Sequence, residues 1–372
     1  MAAILISGCS SWFEGEDNRE PPTPLKPIEQ KVSVAVKWQV QLGSDSETGV
    51  RFRPAYVDGK VFAATSDGNV SALQANNGGL IWRTELDTPL AGGVAADQAL
   101  TVVSTLQGDL IALSSADGSE RWRTSVGAEV LAPAAVTATR VIVRSANGKL
   151  VGFDARDGTR IWQFERKVPA LSLRGTSQPQ VADGLVAAGF DNGKLVVLKA
   201  DDGTALWERS IAIPSGRSEL DRMVDLDGDP VIAQGVVFAT AFQGRTLAME
   251  LKSGRVGWAI ETSSYNGLAI GPLRIILVDP DSDIWTYALA DGSSLWKQTD
   301  LHARLLSKPA VLDGYAVVID LEGFVHWVSM ERGFIEGRIQ LADMEQTSGP
   351  VIAGDLVLIQ SNSGKLVALS AN

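Results

Sequence analysis

The sequence contains very little of the residue types that support disulfide or metal chemistry. Cysteine occurs once, at position 9, and histidine occurs twice among 372 residues. A single cysteine excludes an internal disulfide and any zinc or iron–sulfur site that needs several cysteines. The two histidines, His302 and His326, are too far apart in sequence to form a metal-binding pair on one helix. We expect surface or structural roles for both.

Positive charge and long apolar runs are also scarce. The chain has 33 lysines and arginines against 44 acidic residues, a formal net charge of -11. This balance opposes binding to the phosphates of nucleic acid, which is therefore not an expected partner. No stretch approaches the roughly 18 uninterrupted apolar residues that a membrane-spanning helix needs.

The single cysteine has neighbours that suggest a membrane anchor. Cys9 follows an apolar run at residues 2–6 and two small residues, a pattern similar to the bacterial lipobox, in which the cysteine carries lipid. Residues 14–27 are polar, acidic and proline-rich, a composition that cannot bury enough apolar surface to order itself. We expect residues 1–8 to be part of a lipoprotein signal segment, and residues 9–33 to be a lipidated cysteine and a flexible tether. The alternative for Cys9 is a buried apolar thiol.

A repeat of about 42 residues occupies the rest of the chain, a length typical of propeller blades. Each unit has a turn residue, an apolar residue five positions later, and a tryptophan nine positions after that. The turn residues are Gly68, Gly108, Gly148, Gly193, Gly244, Ser282, Gly323 and Gly364. The last position of the first seven units is occupied by Trp82, Trp122, Trp162, Trp207, Trp258, Trp296 and Gly337. Strands of four to six residues alternate with Asp-Gly and Asn-Gly pairs, which favour hairpin turns.

These units predict an all-β fold. A four-stranded antiparallel sheet cannot bury both faces alone, but it can when stacked radially against its neighbours. The eighth unit ends before its tryptophan strand, and Trp38 lies in a strand with no unit ahead of it. We expect this N-terminal strand to close the ring, which gives an eight-bladed β-propeller of four-stranded antiparallel blades over residues 34–372. The tryptophans are expected to pack between adjacent blades.

Two connections between blades are longer than the others. From the repeat tryptophan to the next turn glycine the distance is 26 residues in the first two units, but 31 after Trp162 and 37 after Trp207. Both connections join an outer strand to the next inner strand, so we expect them side by side on one face, where repeat proteins commonly bind partners. The candidate contact residues are Leu171, Leu173, Arg174, Asp225 and Asp227.

These five residues have two interpretations. The leucines are apolar anchors for a partner, beside the planar donor fork of Arg174, or they pin the loop to the propeller. The aspartates pair with basic residues of a partner, or with Arg217, Arg222 or Arg174.

Motifs for catalysis and cofactor binding are not found. The chain has neither a nucleophile elbow nor a P-loop. Residues 225–229 space their carboxylates like a calcium loop, but Pro230 and Val236 stand where an EF-hand needs glycine and glutamate. Residues 279–283 occupy the turn position of the sixth unit. We therefore predict no catalytic residue, no cofactor and no metal ligand.

Ala-Asp-Gly-x-x-x-Trp, at residues 116–122 and 290–296, resembles the tryptophan-docking repeats of pyrroloquinoline quinone dehydrogenases. These enzymes typically carry a vicinal cysteine disulfide beside the quinone, which a chain with one cysteine cannot form. A quinoprotein dehydrogenase-like enzyme is nevertheless the alternative. A closer resemblance, over nearly the whole chain, is to the BamB family, lipoprotein subunits of the bacterial β-barrel assembly machinery. Its most specific pieces are residues 171–177 and 217–222.

The resemblance to the BamB family implies a non-enzymatic scaffold, lipid-anchored on the periplasmic side of the outer membrane. It implies contact with the POTRA domains of BamA, and through BamA with the BAM complex. It also implies assistance to the folding and insertion of β-barrel outer-membrane proteins, whose unfolded chains are further candidate partners. By this resemblance the contact with BamA is formed by Leu171, Leu173, Arg174, Asp225 and Asp227.

Overall fold

The computed structural model describes residues 20–43, 52–169, 177–213, 224–344 and 348–371. Within these ranges the regular elements are 32 β-strands in eight four-stranded antiparallel sheets. The first strands of the sheets line a central channel, so the sheets are the blades of a propeller. This confirms the predicted fold class. No helix among the described residues has the length and apolar character needed to cross a membrane.

Strand β1 spans Val34–Gln41 and belongs to the last blade. Blades 1 to 4 follow in chain order, each running from its inner to its outer strand. Their strands are β2 (Ala55–Val57), β3 (Lys60–Ala64), β4 (Asn69–Gln74) and β5 (Leu80–Glu85); β6 (Ala95–Ala96), β7 (Leu100–Ser104), β8 (Asp109–Ser114) and β9 (Glu120–Ser125); β10 (Ala135–Val136), β11 (Arg140–Arg144), β12 (Lys149–Asp154) and β13 (Arg160–Glu165); β14 (Gln180–Ala182), β15 (Leu185–Phe190), β16 (Lys194–Lys199) and β17 (Ala205–Ser210).

Blades 5 to 8 repeat this arrangement, and blade 8 takes β1 as its outer strand. Their strands are β18 (Val231–Ala233), β19 (Val236–Thr240), β20 (Arg245–Glu250) and β21 (Val256–Glu261); β22 (Leu268–Ile270), β23 (Arg274–Val278), β24 (Ile284–Ala288) and β25 (Ser294–Gln298); β26 (Ala310–Leu312), β27 (Tyr315–Ile319), β28 (Phe324–Ser329) and β29 (Ile335–Gln340); β30 (Val351–Ala353), β31 (Leu356–Gln360) and β32 (Lys365–Ala371).

The two ends of the propeller meet in blade 8. Strand β1 pairs antiparallel with β32, from Val34 opposite Ala371 to Gln41 opposite Lys365. The indole N–H of Trp38 donates to the carbonyl oxygen of Ala75 in blade 1 at 2.8 Å. The predicted closure of the ring by the Trp38 strand is therefore confirmed.

The apolar core consists of eight layers, one between each pair of neighbouring blades. The repeat tryptophans lie in these layers. Trp82 of blade 1 donates its indole N–H to Ser115 of blade 2 at 3.2 Å, and its ring lies against Gly118. Gly118 has φ +74°, and a Cβ there would lie 2.5 Å from the indole ring, so this turn needs glycine. The predicted packing role of the tryptophans is confirmed.

Blade 7 has Gly337 where the other blades have a tryptophan, and the structure gives the reason. Each repeat tryptophan packs against the glycine turn between the third and outer strands of the next blade. In blade 8 these two strands are β32 and β1, the two ends of the propeller, so no turn joins them. The space is filled by Val32 instead, whose Cβ would lie 3.1 Å from a Cβ added at Gly337.

Residues 20–33, which we call the strap, lie along blade 7. The peptide N–H groups of Lys31 and Val32 both donate to the carbonyl oxygen of Glu336 in β29, at 2.7 and 3.0 Å. Leu25 and Ile28 pack against the apolar layer between blades 6 and 7. Within residues 20–33 the described chain is therefore packed against the propeller, whereas we expected a flexible tether over 9–33; Leu25 and Ile28 are the apolar side chains that hold it. Cys9 lies outside the described residues.

Candidate partner-binding face

The face of the disc that joins successive blades is the candidate functional surface. On it the chain passes from the outer strand of one blade to the inner strand of the next, and we call it the connection face. The two long connections are residues 166–179, between β13 and β14, and residues 211–230, between β17 and β18, and their described ends lie on this face. Of the predicted contact residues, Leu171, Leu173 and Arg174 lie outside the described residues, as do Arg217 and Arg222.

The described end of the second connection is held tightly against the propeller. The peptide N–H of Phe242 donates to the carbonyl oxygen of Asp225 at 2.9 Å and forms an isolated β-bridge. Val224 and Leu226 join the apolar layer between blades 4 and 5. Leu226 lies so close to Gly189 that a Cβ added there would be 2.1 Å from its Cδ2 atom. Glycine at position 189 therefore makes room for this connection.

Asp225 and Asp227 are close neighbours in sequence but differ in exposure. Asp225 is fully buried, whereas Asp227 is half-buried. Both carboxylates attract the guanidinium of Arg144, the last residue of β11, a neighbour that the sequence did not predict. Burial lowers the pKa of Arg144, and the attraction of the two carboxylates opposes that shift. The sequence had suggested Arg217, Arg222 or Arg174 as cations within the chain.

Arg144 is the centre of a buried ionic group formed by residues of blades 3 and 4 and of the connection that leads into blade 5. It is 3% exposed, forms an ion pair with the buried Asp191, and its guanidinium lies 5.8 Å from the centroid of the Phe190 ring. A buried charge is costly unless it is paired, so Arg144 requires these carboxylates. The sequence contains one indication of this buried charge. Arg144 is the last residue of the apolar strand Val-Ile-Val-Arg, and the equivalent strands of blades 1, 2 and 5 end in alanine, serine and threonine. Asp225 is thus held by its own chain, and its buried carboxylate is not exposed to a partner.

The mouth of the central channel on this face carries a second ionic group. The channel contains a cavity of about 570 Å³, lined by the inner strands of the blades. Asp229 lies there between Lys308 and Arg53, whose side-chain nitrogens are 2.7 and 2.8 Å from its Oδ2 atom. Burial alone would raise the pKa of the Asp229 carboxyl, but the two cations outweigh burial and hold that pKa below its usual range.

The two histidines lie in the region of blades 6 and 7. His326 is fully buried with its Nε2 atom 3.1 Å from Asp320, and burial lowers its pKa. His302 is partly exposed, with its Nδ1 atom 2.9 Å from Asp283, and that hydrogen bond raises its pKa. Within the described ranges, no three His, Cys, Asp or Glu side chains are grouped as metal ligands. Ser282, next to Asp283, has φ +68° and occupies the turn expected there.

Comparisons with known proteins agree with this geometry. The sequence model of the family described as "Outer membrane protein assembly factor BamB" matches residues 33–87 and 66–298. The outer membrane protein assembly factor BamB of Pseudomonas aeruginosa is 44% identical over 367 residues, which cover 98% of this chain and 96% of that protein.

Solved structures show the same fold. The crystal structure of BamB from Moraxella catarrhalis superposes with a TM-score of 0.83 at 25% identity, covering 91% of this chain and all of that one. The quinohemoprotein alcohol dehydrogenase of Comamonas testosteroni has a TM-score of 0.71 at 13% identity, covering 94% of this chain and 80% of that one. This second likeness concerns the fold alone. The family match and the relative of nearly full length together show that the chain belongs to the BamB family of outer membrane protein assembly factors.

Proposed function

We propose that this protein is a non-enzymatic scaffold of the outer-membrane protein assembly machinery. Its connection face binds the POTRA domains of BamA, and through BamA it joins the BAM complex. In this role it assists the folding and insertion of β-barrel outer-membrane proteins. The similarity to outer membrane protein assembly factors supports this proposal.

One observation carries the proposed binding site: two neighbouring connections are longer than the rest and emerge on the same face. Leu171, Leu173 and Arg174 lie on the first of them, and apolar anchors beside an arginine commonly form the energetic centre of an interface. On the second connection, Asp227 is only half-buried, and we propose that it pairs with a basic group of the partner. Asp225 contributes indirectly, because its carbonyl oxygen accepts from Phe242 and its buried carboxylate attracts Arg144.

The binding site is tested by co-purification of BamA from cells that produce substituted protein. Leu173→Ala and Arg174→Ala should abolish co-purification while the thermal unfolding midpoint stays nearly unchanged. The matched control is Arg255→Ala: Arg255 is 82% exposed, and its turn between β20 and β21 lies on the opposite face. Normal co-purification of both test variants, or loss that follows from unfolding, would show that the connection face is not the site.

We also propose that Cys9 carries the lipid that holds the protein on the periplasmic side of the outer membrane. Residues 1–8 then belong to the signal segment that precedes the modified cysteine. Ten residues lie between Cys9 and Glu20, the first described residue of the strap. A fully extended chain of this length spans about 40 Å, which limits how far the propeller can move from the membrane. Mass spectrometry of the mature protein tests the lipid, and an unmodified Cys9 would contradict it.

The alternative, a quinoprotein dehydrogenase-like enzyme, has a direct test. The fold is shared with quinohemoprotein dehydrogenases at low identity, but the chain has one cysteine and therefore cannot form the vicinal disulfide typical of those enzymes. Purified protein should show no quinone absorbance and no oxidation of alcohols after addition of pyrroloquinoline quinone and calcium. A quinone spectrum together with alcohol oxidation would replace the scaffold proposal with the enzyme.

A further inference from the structure

The two long connections are joined to each other at the mouth of the channel. The peptide N–H of Gln178, near the end of the first connection, donates to Oδ1 of Asp229, near the end of the second, at 2.7 Å. Beside it, the hydroxyl of Ser177 donates to the carbonyl oxygen of Gly228 at 3.3 Å. The described ends of both connections therefore form one hydrogen-bonded unit, with the Asp229 carboxylate at its centre.

The same carboxylate is bound from two other sides of the ring. Its Oδ2 atom accepts hydrogen bonds from Arg53, which precedes the inner strand of blade 1, and from Lys308, which precedes that of blade 7, at 2.8 and 2.7 Å. Arg53 also donates to the side-chain oxygen of Gln178. Asp229 is 8% exposed, so these charge-assisted bonds are weakly screened and hold the carboxylate in one place.

This arrangement is not a property of the repeat. Arg53, Gln178, Asp229 and Lys308 occupy the same position ahead of the inner strands of blades 1, 4, 5 and 7. The residues at this position in the other four blades are Gly93, Pro133, Gly267 and Gly349. Small residues in these four blades leave room at the channel mouth, and the long side chains of the remaining blades meet in it. The ring itself is closed elsewhere, by β1 and the repeat tryptophans. Ring closure therefore does not by itself account for the ionic group.

We propose that Asp229 is a positioning residue for partner binding. It fixes the described ends of the two connections relative to each other, and Arg53 and Lys308 fix Asp229 relative to the ring. Asp227 is two residues from Asp229 and Asp225 is four, so both are placed by the same anchor. A surface that is ordered before the partner arrives loses less conformational freedom on binding. This inference rests on the proposed contact between the connection face and the POTRA domains of BamA.

Titration of the purified POTRA domains of BamA against substituted protein tests the inference. Asp229→Ala should raise the dissociation constant roughly ten-fold or more, since the described ends of the two connections are then no longer held together before the partner binds. Lys308→Met should weaken binding in the same direction, whereas Lys308→Arg retains the ion pair and should bind nearly as wild type. In the free protein, amide hydrogen exchange should become faster within residues 166–179 and 211–230 of Asp229→Ala and stay unchanged in the other connections.

A stability control separates positioning from general loosening of the fold. Ile359→Val removes one methyl group from the fully buried core of blade 8, far from the connections in sequence, and should leave the dissociation constant unchanged. Wild-type affinity of Asp229→Ala, with Arg174→Ala still impaired, would refute the positioning role and leave the proposed function intact. Failure of the wild-type protein itself to bind would refute the proposed function.

Discussion

Truncation of Trp38 is the sharpest test of how the ring closes. Trp38 is 8% exposed, donates its indole N–H to Ala75 at 2.8 Å, and packs so closely on Gly78 that an added Cβ would be 2.8 Å from its ring. Replacing a buried tryptophan by alanine typically costs about 3–5 kcal/mol, from the lost apolar contacts and the cavity that remains. We expect Trp38→Ala to lower the free energy of unfolding by this amount.

Trp122→Ala is the matched control. It removes the equivalent tryptophan contact between blades 2 and 3, which the chain joins directly. Trp122 is 7% exposed, donates to Ala155 at 2.9 Å, and packs on Gly158. If the closure between β1 and β32 is equivalent to any other blade interface, urea unfolding followed by circular dichroism should give similar losses for both variants. A loss below about 1 kcal/mol for Trp38→Ala, with the full loss for Trp122→Ala, would show that β1 does not close the ring.

Two further predictions concern blade 7 and the strap. Gly337→Trp restores the repeat tryptophan but should destabilise the protein by about 1–3 kcal/mol, because Val32 occupies the space; increased stability in urea unfolding would contradict this. The strap should also loosen as pH rises. The hydrogen bond to Asp283 and the carboxylate of Glu20 raise the pKa of His302 above its usual 6.5. The stabilisation from these two contacts of His302 is complete below pH 6.5 and is lost as the pH rises through the raised pKa of His302. Protease cleavage within the strap should increase from about pH 6 to about pH 8, and His302→Gln should remove this dependence; equal pH dependence in both proteins would exclude His302 as the cause.

The propeller could be predicted from the sequence because its repeat is local. Turn residues, strand lengths and tryptophans recur at fixed spacing, and the unit count required an extra strand, which Trp38 supplies. The sequence also showed that Gly337 departs from the repeat. It could not show the reason, because the contact with Val32 joins residues about 300 positions apart in the chain.

The site was only partly predictable, because burial depends on neighbours distant in sequence. The lengths of two connections predicted which face is distinctive, and the structure confirms that both emerge on it. The sequence did not show that Asp225 is buried and acts on Arg144 of another blade. Nor did it show that the strap packs on the propeller. The strap is mostly polar, and its two apolar residues, Leu25 and Ile28, pack against a layer whose residues are distant in sequence.

Site-specific photo-crosslinking tests most directly whether the connection face binds BamA. A photoreactive phenylalanine derivative is placed at Lys167, an exposed residue of the first long connection, and in a second protein at Leu273. Leu273 is 74% exposed, and its turn between β22 and β23 lies on the opposite face. We predict a crosslink to the POTRA domains of BamA from position 167 and none from position 273. A crosslink from position 273 and none from position 167 would contradict the proposed orientation.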